Sequence, residues 1–217
     1  MITDYRIERK FTLGINNSDF FKKILITNSF HRPHNDREVS SVYLDTYDYN
    51  FFKDNIDGIG RRKKIRIRWY DNDLNKIFLE EKIKNNFLVL KKTSPINIDY
   101  SNNLKKDLIN FLKNNDYKYF INSNLQIVLK TNYKRSYWLS SDKKIRATID
   151  INLNTSSFKY FGNSIYLPET VLEFKYLPEN EIYFRNFFNN IKSGLRFVKY
   201  SKYVKSFLEL NHSGLLS

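Results

Sequence analysis

RRKKIRIRWY, residues Arg61 to Tyr70, carries six cations in its first eight positions. Read as a β-strand, it places Arg62, Lys64, Arg66 and Arg68 on one face and Ile65, Ile67 and Trp69 on the other. Same-face neighbours stand about 7 Å apart, so each adjacent like-charged pair costs roughly 2 kcal/mol at an effective dielectric near 20. A fold that lines up four cations in this way needs negative charge facing them.

The same sorting works outward along the chain. Arg6, Glu8 and Lys10 oppose Ile7 and Phe11, while Glu80, Lys82 and Lys84 oppose Leu79 and Ile83. Arg146, Thr148 and Asp150 oppose Ile145, Ala147 and Ile149, and Glu173 and Lys175 oppose Leu172, Phe174 and Tyr176. Arg135 shares its face with Tyr133 and Tyr137. One such strand is the ordinary wet face of an antiparallel sheet, where Lys/Glu pairs add solubility. Repeated over five or six strands, with polar faces rich in arginine and poor in Ser, Thr and Gln, the pattern points to convergence. A sheet closed with its apolar faces outward, beneath the helices, encloses a basic lumen containing a few carboxylates. The cations then tolerate one another because a polyanion or bound phosphate fills the space between them.

Period-two alternation predicts strands over Tyr5–Leu13, Val39–Asp45, Lys63–Tyr70, Lys76–Lys84, Phe87–Lys92, Ile127–Leu139, Lys144–Asp150 and Thr170–Tyr176. Turn signals separate them at Asp57–Gly60, Asp71–Asp73, Lys84–Asn86 and Ser140–Asp142. Helical spacing predicts a helix capped by Ser18 and running to Thr27, with Phe20, Phe21, Ile24 and Leu25 inward. Further helices are predicted over Leu104–Lys113, over Asn180–Lys192 with a stop at Gly194, and after Ser201 with Val204, Phe207 and Leu208 inward. With no repeat, low-complexity linker or proline-rich hinge, residues 1–217 read as one domain. Its class is α+β, a closed antiparallel β-barrel with peripheral helices.

Composition agrees. The chain has 217 residues, 41% of them hydrophobic, with 18 Phe, 16 Tyr and 2 Trp, which is enough for a real core. Cysteine is absent, which excludes disulfides, thiolate zinc sites and cysteine nucleophiles, and is compatible with a reducing cytoplasm. The N-terminus lacks a signal-type apolar core, and no apolar run approaches membrane-spanning length. A net charge of +14 points to an anionic partner: nucleic acid, a membrane surface or a phosphorylated substrate.

Several ordered motifs narrow the choice: ERKF at Glu8–Phe11, VYLDT at Val42–Thr46, RKKIRIRWY at Arg62–Tyr70, LEEKIK at Leu79–Lys84 and KKT at Lys91–Thr93. Tyr133-x-Arg135, IRATID at Ile145–Asp150, LEFKY at Leu172–Tyr176 and KYSKY at Lys199–Tyr203 follow. In this set the chain resembles the catalytic domain of the vacuolar transporter chaperone (VTC) polyphosphate polymerases, within the triphosphate tunnel metalloenzyme (CYTH-like) superfamily. The resemblance covers nearly the whole chain. It implies a closed tunnel that uses Mn²⁺ or Mg²⁺ to pass the γ-phosphoryl of ATP to a growing polyphosphate chain. It also implies that Lys10, Arg66, Arg68, Lys82, Lys91, Arg135 and Arg146 form the phosphate-binding wall, with Lys92 the alternative to Lys91. Lys199, Ser201 and Lys202 contact phosphate at the tunnel end, Glu173 is the metal ligand, and Glu8, Lys84 and Lys175 stand on the cofactor side. Thr93 occupies a position where family members often carry arginine. The regulatory phosphate-sensing and membrane segments of the eukaryotic forms are not in this sequence.

These residue types suit phosphoryl transfer, which needs positioning and positive charge more than covalent help. Arginine forks grip phosphate oxygens, and a hard divalent ion needs only one or two carboxylates when a triphosphate supplies the other ligands. ATP and inorganic polyphosphate are the expected partners, a separate membrane protein is a further candidate, and no specific nucleic acid is expected. The expected location is the cytoplasm, or the periphery of a membrane through such a partner. Other signals are weaker. His31-x-x-His34 is interrupted by proline and lacks zinc-completing cysteine; Lys53–Gly58 is two residues too long for a nucleotidyltransferase K-x-D-G; and no P-loop is present. The rivals to a polymerase are a tunnel-fold hydrolase of tripolyphosphate, nucleoside or RNA triphosphate, and a non-catalytic polyanion-binding module.

Overall fold

The computed structural model describes residues 5–14, 17–99, 101, 103–113, 125–191 and 195–216. Eight antiparallel strands close on themselves: β1 (Arg6–Leu13), β3 (Arg37–Thr46), β4 (Arg61–Tyr70), β5 (Asp73–Asn85), β6 (Leu88–Ile96), β7 (Leu125–Ser140), β8 (Arg146–Ser157) and β10 (Thr170–Tyr176). The ring runs β7-β3-β4-β5-β6-β1-β10-β8 and is shut by the pairing of β7 with β8. Two short strands extend it, β2 (Phe30–His31) on β7 and β9 (Ile165–Leu167) on β8. The β4–β5 hairpin turns through Asp71 and Asn72, both at positive φ (52° and 58°), the conformation a tight primed turn demands.

Closure converts alternation into an inside and an outside. Cross-strand pairs such as Arg66↔Glu80, Lys82↔Lys91, Arg135↔Asp150 and Lys10↔Glu173 place the charged residues on one shared face. Most apolar residues point outward and are covered by helices α1 (Ser18–Thr27), α2 (Asn50–Ile56), α3 (Leu104–Lys113) and α4 (Glu181–Ile191), while α5 (Lys202–His212) packs on Tyr43 and Leu129. One outer core joins Phe11, Ile149, Leu172 and Phe174 to Phe21 and Leu25 of α1 and Phe184 and Ile191 of α4. A second joins Val42, Ile65, Ile67, Trp69 and Leu79 to Phe51 of α2 and Leu108 and Phe111 of α3. The architecture is therefore the α+β closed barrel with its greasy side outward. No helix among the described residues is long and apolar enough to cross a membrane.

Several expectations shift. α1 begins at Ser18, with Asn17 in the capping position, and Phe20 is exposed on its outer side. In α4, Tyr183 is exposed while Phe184 and Ile191 are buried; Gly194 lies outside the described residues. α5 turns Tyr203, Ser206, Phe207 and Leu210 inward, so Tyr203 and Leu210 take the buried places expected for Val204 and Leu208. Its inward face meets the barrel lumen, where Tyr203 stacks on Tyr43 with ring centroids 5.2 Å apart. A purely apolar stripe therefore misreads its orientation. α2 escapes periodicity because it has only two turns, and it is held by a tertiary contact: Asp45 accepts from the N–H groups of Phe51 and Phe52.

Candidate functional site

Glu80 organises one sector of the lumen. Its Oε2 accepts from Arg66 Nε at 2.7 Å and lies 3.6 Å from Arg68 Nη1, while Oε1 accepts from Lys91 Nζ at 2.5 Å. Burial opposes ionisation of this carboxyl, but Arg66, Arg68 and Lys91 outweigh it and hold its pKa far below the usual range. Lys91 pays for the same burial in the opposite sense: its pKa is pushed down to about 8, with Glu80 resisting. Arg68 also donates to Ser41 Oγ at 3.0 Å and to Tyr133 Oη at 2.9 Å, both on neighbouring strands. The register question at Lys91-Lys92 is resolved by geometry, because Lys91 points at Glu80 while Lys92 is exposed.

Asp150 organises a second sector. Arg135 forks onto it at 2.6 and 2.7 Å, and Lys202, the first residue of α5, reaches its Oδ2 at 2.5 Å. The Lys202 ammonium also lies 4.5 Å from the centroid of the Tyr133 ring. Burial raises the Asp150 pKa, but Arg135 and Lys202 overcome it and keep the group ionised. A third sector holds two carboxylates. Glu8 accepts from Lys82 Nζ at 2.5 Å; Glu173 lies 3.4 Å from Lys175 Nζ and 3.9 Å from Lys10 Nζ. The two carboxyls are close enough to interact with each other. Burial raises the Glu173 pKa, yet Lys175, Lys10 and Lys82 hold it well below the ordinary value.

A divalent cation fits this third sector. Glu8 Oε1 and Thr148 Oγ1 are buried without a hydrogen-bond partner, and Thr148 is the cross-strand neighbour of Glu173. Two ionised carboxylates beside an orphaned hydroxyl are the hard oxygen donors such an ion prefers. Glu173 and Glu8 would hold it, and it would neutralise charge on bridging phosphate oxygens. Among the described residues no group of three or more His, Cys, Asp or Glu side chains converges, so a triphosphate would supply the remaining ligands. His31 and His34 are both exposed, and His34 packs on Tyr137 with centroids 4.3 Å apart.

The segment before α5 runs beside β1 and reaches the luminal lysines. Val198 N–H donates to the Lys10 carbonyl, the Tyr200 carbonyl accepts from Lys10 Nζ at 3.0 Å, and Ser201 Oγ accepts from Lys64 Nζ at 2.6 Å. Ser201 also caps α5 by accepting from Val204 N–H. Thus Lys10, Arg66, Arg68, Lys82, Lys91, Arg135, Lys175, Ser201 and Lys202 are brought together with Glu8 and Glu173. The other expected residues lie further out. Arg146 is exposed at the start of β8, Lys84 is only partly buried, and Lys199 is exposed before Ser201. Two surface clefts, one of about 380 Å³ at Arg9 and Phe197 and one of about 280 Å³ at Lys105 and Phe158, lie outside the barrel.

Sequence reasoning left Tyr43, Tyr133 and Lys64 out of the site. Tyr133 shares the Arg135 face but carries no role in the sequence reading; in the structure Tyr43 Oη accepts from Arg66 and Tyr133 Oη from Arg68. Their period-two neighbours Ser41 and Arg135 carried the signal, because a residue two places from a luminal group is itself luminal. Lys64 was visible in the opening stretch by the same rule.

The model of the VTC domain family matches residues 5–211. No protein with curated annotation matches the chain. Among solved structures, the chain is similar to a protein of Pyrococcus horikoshii OT3 at 18% identity, covering 96% of this chain and 99% of that one, with a TM-score of 0.52. It is similar to a putative adenylate cyclase of Vibrio parahaemolyticus at 13% identity, covering 95% and 99%, with a TM-score of 0.55. It is also similar to a putative adenylyl cyclase of Hippeastrum, described as having a dominant triphosphatase activity, at 12% identity, covering 99% and 97%, with a TM-score of 0.55. At these identities the structural likeness concerns the fold.

Proposed function

The chain belongs to the VTC domain family, and from that membership we propose that it is an ATP-dependent polyphosphate polymerase, passing the γ-phosphoryl of ATP to a polyphosphate chain held in the lumen. The observation that carries this reading is the charge of the shared interior. Lys10, Lys64, Arg66, Arg68, Lys82, Lys91, Arg135, Lys175 and Lys202 converge there against Glu8, Glu80, Asp150 and Glu173. Nine basic side chains facing four carboxylates leave an excess that a row of phosphates would neutralise.

The residues divide the work. Arg66, Arg68 and Arg135 present rigid forks to phosphate oxygens, and their bonds to Glu80 and Asp150 fix the forks before a ligand arrives. Lys82, Lys91 and Lys202 act as point charges along the chain. Glu173 and Glu8 would hold the Mn²⁺ or Mg²⁺ ion, which would supply charge neutralisation for the phosphates. The closed wall excludes water from the line of attack, which favours transfer to a phosphate over hydrolysis. ATP and polyphosphate are the partners in this reading, at a cytoplasmic site or one docked to a membrane protein.

A tunnel-fold triphosphate hydrolase is the second reading, favoured by the Glu8 and Glu173 carboxylates standing side by side. The polymerase is preferred because the luminal face of β1 reads Arg6-x-Glu8-x-Lys10 rather than two carboxylates, and Lys10 faces Glu173. Incubation with ATP and Mn²⁺, followed by gel analysis, separates them. A ladder of long polyphosphate is expected; orthophosphate alone would reject the polymerase.

A further inference from the structure

Each ammonium or guanidinium deep in the lumen has a carboxylate within 4 Å, with one exception. Lys10 and Lys175 face Glu173, Lys82 faces Glu8, Arg66, Arg68 and Lys91 surround Glu80, and Arg135 and Lys202 grip Asp150. Among the described residues, Lys64 has no such ion pair. Its ammonium position donates to the uncharged hydroxyl of Ser201 at 2.6 Å. Its directly opposed neighbour across the β4–β5 ladder is Lys82, itself a cation.

The charges that act most strongly on Lys64 are positive: Arg62 and Arg66 along β4, Lys82 on β5 and Lys10 on β1, with the neutral hydroxyl of Ser201 before α5. The neighbouring strand β3 brings the buried carboxylate of Asp45, which is already engaged by Tyr203 and by the N–H groups of Thr46, Phe51 and Phe52 and makes no ion pair with Lys64. Among the described residues no carboxylate supplies the counter-charge of Lys64, and its hydrogen-bond partner, the Ser201 hydroxyl, is neutral.

We propose that Lys64 is a phosphoryl-binding residue of this lumen, and that it takes up one proton from solvent as a polyphosphate anion enters, exchanging its bond to Ser201 for one to a phosphate oxygen. This rests on the triphosphate-tunnel reading above and adds to it a coupling between anion binding and pH. Burial and the charges of Lys10, Lys82, Arg62 and Arg66 all act to lower the pKa of Lys64, and an anion arriving beside it acts in the opposite direction and favours the protonated form. The new N–H bond on Lys64 forms with a proton released by buffer.

The test is calorimetric titration of the whole protein with inorganic tripolyphosphate at pH 8, without metal, in two buffers of different ionisation enthalpy. The difference between buffers gives the protons taken up per anion. Lys91, with its pKa near 8, and Lys175, with its pKa near 7, contribute as well, as does the anion itself. The readout is therefore wild type minus Lys64→Arg, whose guanidinium stays protonated. The expected difference approaches one proton, and wild-type affinity should fall with rising pH up to tenfold per unit more steeply than in Lys64→Arg. Lys64→Gln serves as a second variant, with weaker binding and the same loss of uptake. Tripolyphosphate binding with equal proton uptake in all three proteins overturns the inference alone. No binding to the wild type overturns the tunnel reading and this inference with it.

Discussion

The hydroxyl of Tyr203 donates to Oδ2 of Asp45 at 2.6 Å, across 158 positions of sequence. The same carboxylate accepts from the backbone N–H groups of Phe51 and Phe52, so β3, α2 and α5 meet on one side chain. The Tyr203 ring also stacks on Tyr43, whose hydroxyl accepts from Arg66. Tyr203→Phe should lower stability by about 1.5–3 kcal/mol, the worth of a hydrogen bond to a charged group. Asp45→Ala should cost more, because four donors, Tyr203 and the N–H groups of Thr46, Phe51 and Phe52, lose their acceptor. Urea denaturation measures both; an unchanged midpoint for Tyr203→Phe would refute the coupling.

Asp150→Ala leaves Arg135 and Lys202 buried without their shared counter-ion. The expected loss is about 3–5 kcal/mol, as for a buried pair broken on one side. Tripolyphosphate should restore part of that loss, so its stabilisation measured by thermal unfolding should be larger in the variant than in the wild type. Equal stabilisation in both proteins would mean that phosphate does not reach this pair.

Acid and alkali should act in opposite directions on the ligand-free protein. Glu80 and Asp150 have depressed folded-state pKa values, so their contribution is fully present above the ordinary carboxylate range and is lost as pH falls from about 4 toward those lower folded values. Lys91, Lys64 and Lys130 have lowered values, so between about pH 8 and 10 the unfolded chain binds more protons and stability rises with pH. The slope is at most about 1.4 kcal/mol per pH unit per group. Lys10 and Lys205 have raised values and reverse the trend only above the ordinary lysine range. Chemical denaturation at pH 3, 5, 8 and 9.5 without phosphate tests the pattern, and stability that falls steadily from pH 8 to 9.5 would contradict it.

Lys91 and Lys92 are adjacent in sequence and opposite in orientation. Lys91→Ala should weaken tripolyphosphate binding about tenfold, the effect of losing one charge-assisted hydrogen bond. Lys92→Ala should bind as the wild type does. Equal effects in the two variants would place the wall of the lumen in a different register.

Glu173→Ala should abolish metal-dependent synthesis from ATP while leaving tripolyphosphate binding intact or tighter, because a buried negative charge is removed from beside Lys10 and Lys175. Glu8→Ala should raise the Mn²⁺ concentration needed for half-maximal activity. Synthesis at the normal rate in Glu173→Ala would remove that residue from the metal site. Absence of turnover in the wild type, together with salt-dependent anion binding, would favour a binding module.

Much was legible from alternation alone. The period of two in RRKKIRIRWY and its sister strands sorts Ile65, Ile67 and Trp69 from Lys64, Arg66 and Arg68 without any knowledge of neighbours, because successive side chains on a strand must point to opposite faces. The strands and the outward apolar side follow from that local rule, and α3 from the helical spacing of its apolar residues. Which charge meets which does not. Glu80 gathers Arg66 and Lys91 from two different strands, and Asp150 gathers Arg135 from the next strand and Lys202 from a helix 52 positions away. These partnerships depend on stagger between strands and on where α5 lands, both set by long-range packing. Tyr203 turns toward Asp45, and Lys64 is left facing Ser201, for the same reason: a side chain's face is a property of its own strand or helix, but its partner is a property of the closed barrel.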